Sequence, residues 1–503
     1  MKIFSSAQIK AWDEASIIEQ GITSGMLMER AAATCFSWML DHDLIKQPMH
    51  IICGKGNNGG DGLALARMLL QNNGIVSIYI LESGKPGTKD FQLNLEHLHK
   101  ITTNIHFIQS SRSFPIVEKD DIIIDALFGT GLNKPLEGIA SELAEYINKL
   151  GNPVIAIDIP SGLFCDSATR DHKVITATVT LTFQNLKLAF LLPQNEKFTG
   201  IIHTLNIGLS NKFQEAEPAV HEITETSLIK NMIRPRNKFS HKGTFGHAAI
   251  IAGSYGMMGA AVLAARACLC CGAGKLTCFI PAKGFNIMQT SIPEAMCREV
   301  GEKLNDALET NEQFDVISIG PGIGTKIETI QLIEKLFSRN MPMVLDADAL
   351  NCLAINKTQI DQIPKGSVLT PHPKEFERLF GTADNDFNRL AVGIRQAKAL
   401  GIYIVLKGHH TAIITPGGKV YFNCTGNAGM AKAGMGDVLT GMITGLICQG
   451  YPLPEAAILG VYLHGLAGDI ASERFSQNAM QASDLVSCIG EAWLDLTNKK
   501  STQ

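Results

Sequence analysis

The chain has 503 residues, enough for two large domains or about three of ordinary size. Hydrophobic residues make up 45% and charged residues 18%, the balance of a globular protein that buries a sizeable core. With a formal net charge of -4 and no basic excess, nothing points to nucleic acid or an anionic membrane as a partner.

The opening, MKIFSSAQIKAWDE, lacks the basic segment and apolar core of a secretory signal. A helical pattern runs from Ser5 to Leu40. A short apolar strand, His50 to Cys53, then enters the glycine-rich turn GKGNNGGDG (Gly54 to Gly62) and the helical stretch LALARMLL. Further strands are expected at Ile75–Leu81, Ile122–Asp125, Val154–Asp158 and Val179–Phe183, with helices between most of them. That alternation reads as an α/β protein whose parallel sheet is covered on both faces, with ligands at the carboxyl ends of the strands. From Ser210 to Leu228 the pattern lapses into the polar stretch NKFQEAEPAVHEITETS, where a domain boundary is expected. A second unit begins after Arg234-Pro235-Arg236, with strands at Ala248–Ala252, Lys275–Ile280, Val316–Ile319, Met343–Leu345, Ser367–Leu369 and Tyr403–Leu406. The tail from Lys499 is expected to fray. There is no repeat of 20–50 residues, no low-complexity tract, and no apolar run near the ~20 residues of a membrane span. The 12 cysteines are scattered. Cys268 and Cys271 have C-x-x-C spacing, but they lie in AAVLAARACLCCGAG, where a packed helix is favoured over metal or redox chemistry. A reducing, cytoplasmic compartment is expected.

In the first unit Gly54, Gly56 and Gly59 match G-x-G-x-x-G, and Glu82 ends the next strand. That spacing fits a dinucleotide phosphate held at a helix N-terminus, and equally a tight turn that merely needs glycine. Asn57, Asn58 and Asp61 add side-chain oxygens of the kind that suit hard cations or polar ligands. Asp125, in IIIDALFGTGLNKP, and Asp158, in VIAIDIPSGL, each follow an apolar strand and so fall on one rim. One such Asp would read as a helix cap, whereas two on a rim read as a site.

Taken in order, GKGNNGGDG, DALFGTGL and DIPSGL resemble the NAD(P)H-hydrate epimerase domain over roughly the first 210 residues. The resemblance implies that Asn57, Asn58, Gly59, Gly60 and Asp61 contact the substrate, as do Gly129, Thr130, Gly131, Leu132, Asn133, Lys134 and Pro135. It implies that Asn58, Asp125 and Ser161 help to ligate K+. Asp158 would contact the nicotinamide end and act as acid or base while the R and S hydrates interconvert at C6. In LMERAA, Arg30 stands where the family has Asn after the Glu, a departure that bears on substrate detail.

In the second unit HKGTFGHAAIIAGS is a strand with glycines on both sides. Gly253, Gly256 and Gly259 fit close approach to a ligand and tight helix–sheet packing equally well. VISIGPGIG is another strand and glycine turn, and VLDADALN sets Asp346 and Asp348 after a strand. In VLTPHPKEF, His372 stands between two prolines that restrict its backbone and so aim its imidazole. In NAGMAKAGMGDVLTGMITGL, Gly434, Gly436 and Asp437 open an apolar helix, whose free N–H groups and roughly half a positive charge favour a phosphate. Asp437 fits a helix cap, or a base that activates a hydroxyl for phosphoryl transfer.

The glycine–aspartate helix start resembles the ribokinase-like superfamily. HKGTFGH, GPGIG, DADAL, TPHPKEF, LKGHHT and GMGDVLTG together resemble, more narrowly, the ADP/ATP-dependent NAD(P)H-hydrate dehydratase family over about Arg234 to Asp484. That resemblance implies that Ala261, Gly324, His372 and Asp437 contact the hydrate. Lys407, Gly408, His409, His410, Thr411 and Gly436 would bind ADP or ATP, with Mg2+ bridging its phosphates. Asp437 would assist attack of the C6 hydroxyl on the terminal phosphate, and loss of phosphate would restore the ring. Met435 replaces a small Ser or Thr, Ala428 a Pro, and Lys374 a Gly.

Together the resemblances imply two three-layer α/β/α domains, Rossmann-like at 1–215 and ribokinase-like at 225–495. They imply a homo-oligomeric bifunctional enzyme that returns NADHX and NADPHX to NADH and NADPH. A ribokinase-like small-molecule kinase fused to a dinucleotide-binding domain is the alternative enzyme, and would release a stable phosphorylated product. A nucleotide sensor or scaffold explains the glycines but leaves the strand-end carboxylates without a purpose.

Overall fold

Ser5 starts the first helix, α1 (Ser6–Gln20): its hydroxyl accepts from the Gln8 backbone N–H while the Gln8 side-chain oxygen accepts from the Ser5 N–H. The structure is a computed structural model that describes residues 1–169, 172–300 and 313–497. The helical pattern expected from Ser5 to Leu40 is two helices. Gly21 adopts a left-handed φ of 63° that ends α1, and Thr23 caps α2 (Ser24–Asp41). Apolar spacing carries on across this break and hides it.

The chain divides into two compact units, one of Lys2–Ala219 with residues 385–387, the other of Met1, Val220–Asp384 and Asn388–Gln503. The first unit continues with β1 (Met49–Cys53), α3 (Asn57–Gln71), β2 (Val76–Leu81), α4 (Lys89–His99), β3 (Ile105–Ile108) and β4 (Ile122–Ala126). It goes on with α5 (Gly138–Leu150), β5 (Val154–Ile157), β6 (Val179–Phe183), β7 (Ile201–Leu205) and the short α6 (Asn211–Ala216). The strands lie in the order β3-β2-β1-β4-β5-β6-β7, and every neighbouring pair is parallel. The order reverses between β1 and β4, where Ile52 lies opposite Asp125, and this is where such sheets bind ligands. Both strands are buried at every position, which makes them legible as apolar runs. β3 and β7 carry no such signal because they are the edge strands and leave residues exposed.

In the second unit the polar stretch after Ser210 holds β8 (His221–Ile223) and α7 (Thr226–Met232), too short to show a period. Then come β9 (His247–Ile251), α8 (Met258–Cys270), β10 (Lys275–Pro281), α9 (Phe285–Ser291), β11 (Met296–Val300), β12 (Val316–Ile319), α10 (Ile327–Phe337), β13 (Met343–Leu345) and α11 (Asp348–Ile355). The chain closes with β14 (Val368–Leu369), α12 (Pro373–Phe380), β15 (Tyr403–Leu406), β16 (Ala412–Ile414), β17 (Val420–Phe422), α13 (Met435–Cys448), α14 (Leu453–Ala479) and α15 (Ala482–Thr497). The strand order is β8-β17-β16-β15-β14-β13-β12-β9-β10-β11, and β11 through β15 form one parallel block. β16 runs antiparallel to both its neighbours. Cys268 lies in the apolar core, where burial pushes its thiol up, and all twelve cysteines are free. Among the described residues no helix is long and apolar enough to cross a membrane. The tail expected to fray from Lys499 lies outside the described residues.

Candidate active sites

In the first unit a cavity of about 660 Å³ is walled by α1 and by the loops that follow β1, β4, β5 and β6. Asn57, Asn58, Asp61, Gly129, Thr130, Gly131, Leu132, Asn133 and Asp158 line it. Gly59 and Gly60 lie buried in the first turn of α3, and Lys134 and Pro135 are exposed beyond the rim. A Cβ on Gly59 would sit 1.7 Å from the Gly54 carbonyl oxygen, so tight closure of the turn accounts for that glycine.

Asp125, at the end of β4, is fully buried. It accepts from the Ser161 hydroxyl at 2.6 Å, the Ser161 N–H at 2.7 Å and the Leu127 N–H at 3.2 Å. Burial pushes its carboxyl up to about 6 against those bonds. On the neighbouring turn Asn58 is buried with both amide atoms unpartnered. An orphaned amide oxygen beside a buried carboxylate and a hydroxyl is a donor set that fits a hard monovalent cation. Among the described residues no group of three or more His, Cys, Asp or Glu could hold a metal.

Asp158 follows β5 with φ at 69°, a left-handed conformation that few residues other than glycine adopt. Its carboxylate meets the Lys187 ammonium at 2.8 Å and accepts from the Thr130 N–H at 3.0 Å. Burial pushes this carboxyl up, but Lys187 and the Thr130 hydrogen bonds outweigh it and hold the group below the usual range. Lys187 is 1% exposed and also donates to Thr182 at 2.5 Å. Sequence reasoning passed over Lys187, although a lysine inside the apolar run QNLKLAF is a signal of a buried ion pair. It also passed over Asp13, on the cavity face of α1, for which no local pattern speaks. Arg30 lies outside the cavity wall and donates to the carbonyls of Ile207 and Gly208, both at 3.0 Å.

In the second unit α13 starts at Gly434, whose φ of 90° turns the chain so that the first helical N–H groups stand free. Beside it lies a cavity of about 630 Å³ lined by His372, Lys407, Gly408, His409, Thr411 and Gly436. His410, whose ring stacks edge-on against His409 at 4.4 Å, is not among the lining residues. Lys407 reaches Asp346 at 3.0 Å and Glu375 at 3.9 Å, and the other Asp346 oxygen accepts from Thr440 at 2.7 Å. Asp437, in the first turn of α13, makes no such pair. Burial, then the Asp346 charge, push its carboxyl up to about 6, with Lys407 opposing.

Ala347 separates Asp346 from Asp348 at φ 47°, and Asp348 accepts from the Gly324 N–H at 2.9 Å. Ala261 is 1% exposed in α8, and neither it, Gly324 nor Asp437 lines the cavity. His372 is the N-cap of α12: its Nδ1 accepts from the N–H groups of Lys374 at 3.1 Å and Glu375 at 3.3 Å. Burial lowers its pKa; Glu375 opposes this and Lys407 adds to it. A Cβ on Gly253 would touch Met258 at 2.8 Å, whereas Gly256 and Gly259 face open space, so only the first is a packing glycine.

Two family models match the chain: "YjeF-related protein N-terminus" over residues 24–189 and "NAD(P)H-hydrate dehydratase" over residues 248–491. The bifunctional NAD(P)H-hydrate repair enzyme Nnr of Moorella thermoacetica is 35% identical over 505 residues, covering 97% of this chain and 95% of the relative. This chain belongs to the bifunctional NAD(P)H-hydrate repair enzyme family. The Escherichia coli member is 34% identical over 93% of this chain and 89% of its own length. A Bacillus subtilis ADP/ATP-dependent NAD(P)H-hydrate dehydratase, co-crystallised with ATP/Mg2+, is 31% identical; the match covers 55% of this chain and 98% of that one, with a TM-score of 0.50.

The departures from the repair-enzyme motifs are absorbed locally. Met435 is 4% exposed, and its carbonyl accepts from His464 at 2.9 Å, leaving the Gly434–Gly436 turn intact. Ala428 opens a short turn held by Asn427, whose side-chain oxygen accepts from the Gly429 N–H at 3.0 Å. Lys374 is exposed and supplies only its N–H to His372.

Proposed function

We propose that residues 1–215 form an epimerase domain that interconverts the R and S hydrates of NADH and NADPH, and that residues 225–495 form a dehydratase domain that uses ADP or ATP to dehydrate the S form. The observation that carries this reading is Asp437 in the first turn of α13, with Lys407 and the free helix N–H groups beside a cavity of nucleotide size.

In the dehydratase domain the N–H groups after Gly434, with Lys407, hold the terminal phosphates of a nucleotide that lies along Lys407–Thr411 and Gly436. Asp437 takes the proton of the C6 hydroxyl as that oxygen attacks the terminal phosphorus; phosphate then departs from C6 with the C–O bonding pair, C5 gives up a proton to solvent, and the C5=C6 double bond forms. His372, Ala261 and Gly324 border the hydrate. Bound Mg2+ would offset the charge of the phosphates.

In the epimerase domain Asn57–Asp61 and Gly129–Pro135 hold the dinucleotide, and Asp158, kept ionised by Lys187, faces the C6 hydroxyl. K+ would be held by Asn58, Asp125 and Ser161 and would supply charge that steadies the substrate-binding loop, where Gly129 packs against Asn58 and Asp158. The free cysteines support a reducing, cytoplasmic setting, and the family resemblance supports a homo-oligomer.

The test is to give the purified chain a mixture of both epimers with Mg2+ and either ADP or ATP, following reduced-nicotinamide absorbance and phosphate release. Nucleotide-dependent recovery of both epimers is expected. Nucleotide consumption with a stable phosphorylated product would favour a kinase instead.

A further inference from the structure

Asp158 alone leaves the chemistry at C6 incomplete. A carbon that bears a hydroxyl and a ring nitrogen can invert when the hydroxyl leaves from one face, pushed out by the nitrogen lone pair, and water returns on the other. On that route one proton is given and another taken, on opposite faces of the ring.

The cavity that holds Asp158 contains two further carboxylates, Asp61 on α3 and Asp13. Asp13 projects from α1, a different wall from the strand end that carries Asp158. Its neighbours fix its position: Trp12 is buried and donates to the Ser210 carbonyl at 2.8 Å, and the Ser16 hydroxyl accepts from the Ser210 N–H at 2.8 Å. Asp13 itself has no hydrogen bond or ion pair among the described residues. The charged groups around it are Asp158, Lys187, its helix neighbour Glu14, and Asp61 on α3, whose carboxyl burial and the Asp158 and Asp13 charges push well above the usual range, so that it stays protonated. Lys187 is already engaged with Asp158. Burial, then the Asp158 charge, push the Asp13 carboxyl up to about 7, so much of it carries a proton near neutrality. The family model for this unit begins at residue 24, after α1.

We propose that Asp13 is the second proton-transfer group of the epimerase site, acting opposite Asp158. The inference rests on the epimerase reading of this unit. Protonated Asp13 gives its proton to the C6 hydroxyl. The C6–O bond breaks, water leaves, and the ring-nitrogen lone pair forms the N1=C6 bond. A solvent water then adds to the other face of C6. Asp158 takes its proton, and the N1=C6 electron pair returns to nitrogen. One water leaves, one is added, and one proton passes from Asp13 to Asp158. Conversion of the opposite epimer runs the same steps backward and resets both carboxyls.

The experiment uses the full chain carrying Asp13→Asn or Asp13→Glu. Epimer interconversion is followed by chromatography without nucleotide, substrate binding by Trp12 fluorescence, and S-epimer dehydration as a control. Asp13→Asn is expected to lower the interconversion kcat by about 100-fold or more with KM little changed. Asp13→Glu should restore part of it, and dehydration should stay at the parental rate. In the parent, interconversion should decline as pH rises through about 7, where Asp13 loses its proton, and Asp13→Asn should abolish that limb. Parental interconversion by Asp13→Asn, or a loss of substrate binding equal to the loss of rate, overturns the proposal. A parental chain that interconverts nothing would instead sink the epimerase reading itself.

Discussion

Lys187 and Lys407 stand at comparable places in their units, each within 3.0 Å of a buried aspartate that follows a parallel strand. The effects on chemistry are opposite. Lys187 pairs with Asp158, the very group assigned to the reaction, and holds it ionised. Lys407 pairs with Asp346, and the proposed base, Asp437, is raised to about 6 by burial and then by the repulsive Asp346 charge. A carboxylate paired with a buried cation is thus fixed as a charge, whereas one left to burial and a like-charged neighbour is raised.

The sharpest way to break this contrast is Lys187→Met, which leaves Asp158 buried without its cation. We expect a loss of about 3–5 kcal/mol in denaturant unfolding of the first unit, together with loss of epimer interconversion. An unchanged midpoint would show that Asp158 does not depend on the pair. Asp437→Asn should cut nucleotide-dependent dehydration by roughly 100- to 10,000-fold. Its nucleotide affinity should hold nearly constant in calorimetric titration, and an equal fall in both would remove Asp437 from the base role.

Asp346→Asn tests the contrast from the other side. Asp437 must be ionised to act as a base, so dehydration should fall as pH drops through about 6. Removing the Asp346 charge takes away a cause that raises Asp437, and the falling limb of the profile should move to lower pH. A shift to higher pH would contradict the assignment. The smallest effect belongs to Lys374→Ala, an exposed side chain, for which unfolding should change by no more than about 0.5 kcal/mol and turnover not at all.

The sequence exposed whatever is written locally. β1, β4 and β5 are buried at every position because both sheet faces are covered, so they stand out as runs and deliver Asp125 and Asp158 to one rim. The glycine turns before α3 and α13 announce themselves for the same reason. What stayed hidden depends on distant chain segments meeting. Asp13 acquires meaning only once α1 closes over the loops of the sheet, and Lys187 only once Asp158 is its neighbour. His372 was legible as a residue held rigidly between prolines, but its cap on α12 became visible only with the helix in place. The short β16 and β17, three residues each, were below the length at which alternation can be read.

The cap at His372 carries a further consequence for recognition. With Nδ1 accepting two backbone N–H groups, the ring's proton resides on Nε2, which faces Glu375 at 3.3 Å. This edge of the imidazole therefore speaks only one half of the hydrogen-bonding language: its N–H is aimed at the Glu375 carboxylate, and an arriving molecule can share it through an accepting oxygen but not through a donor. A helix end thus serves as a polarity filter, set by the first turn of α12 and independent of whatever molecule arrives.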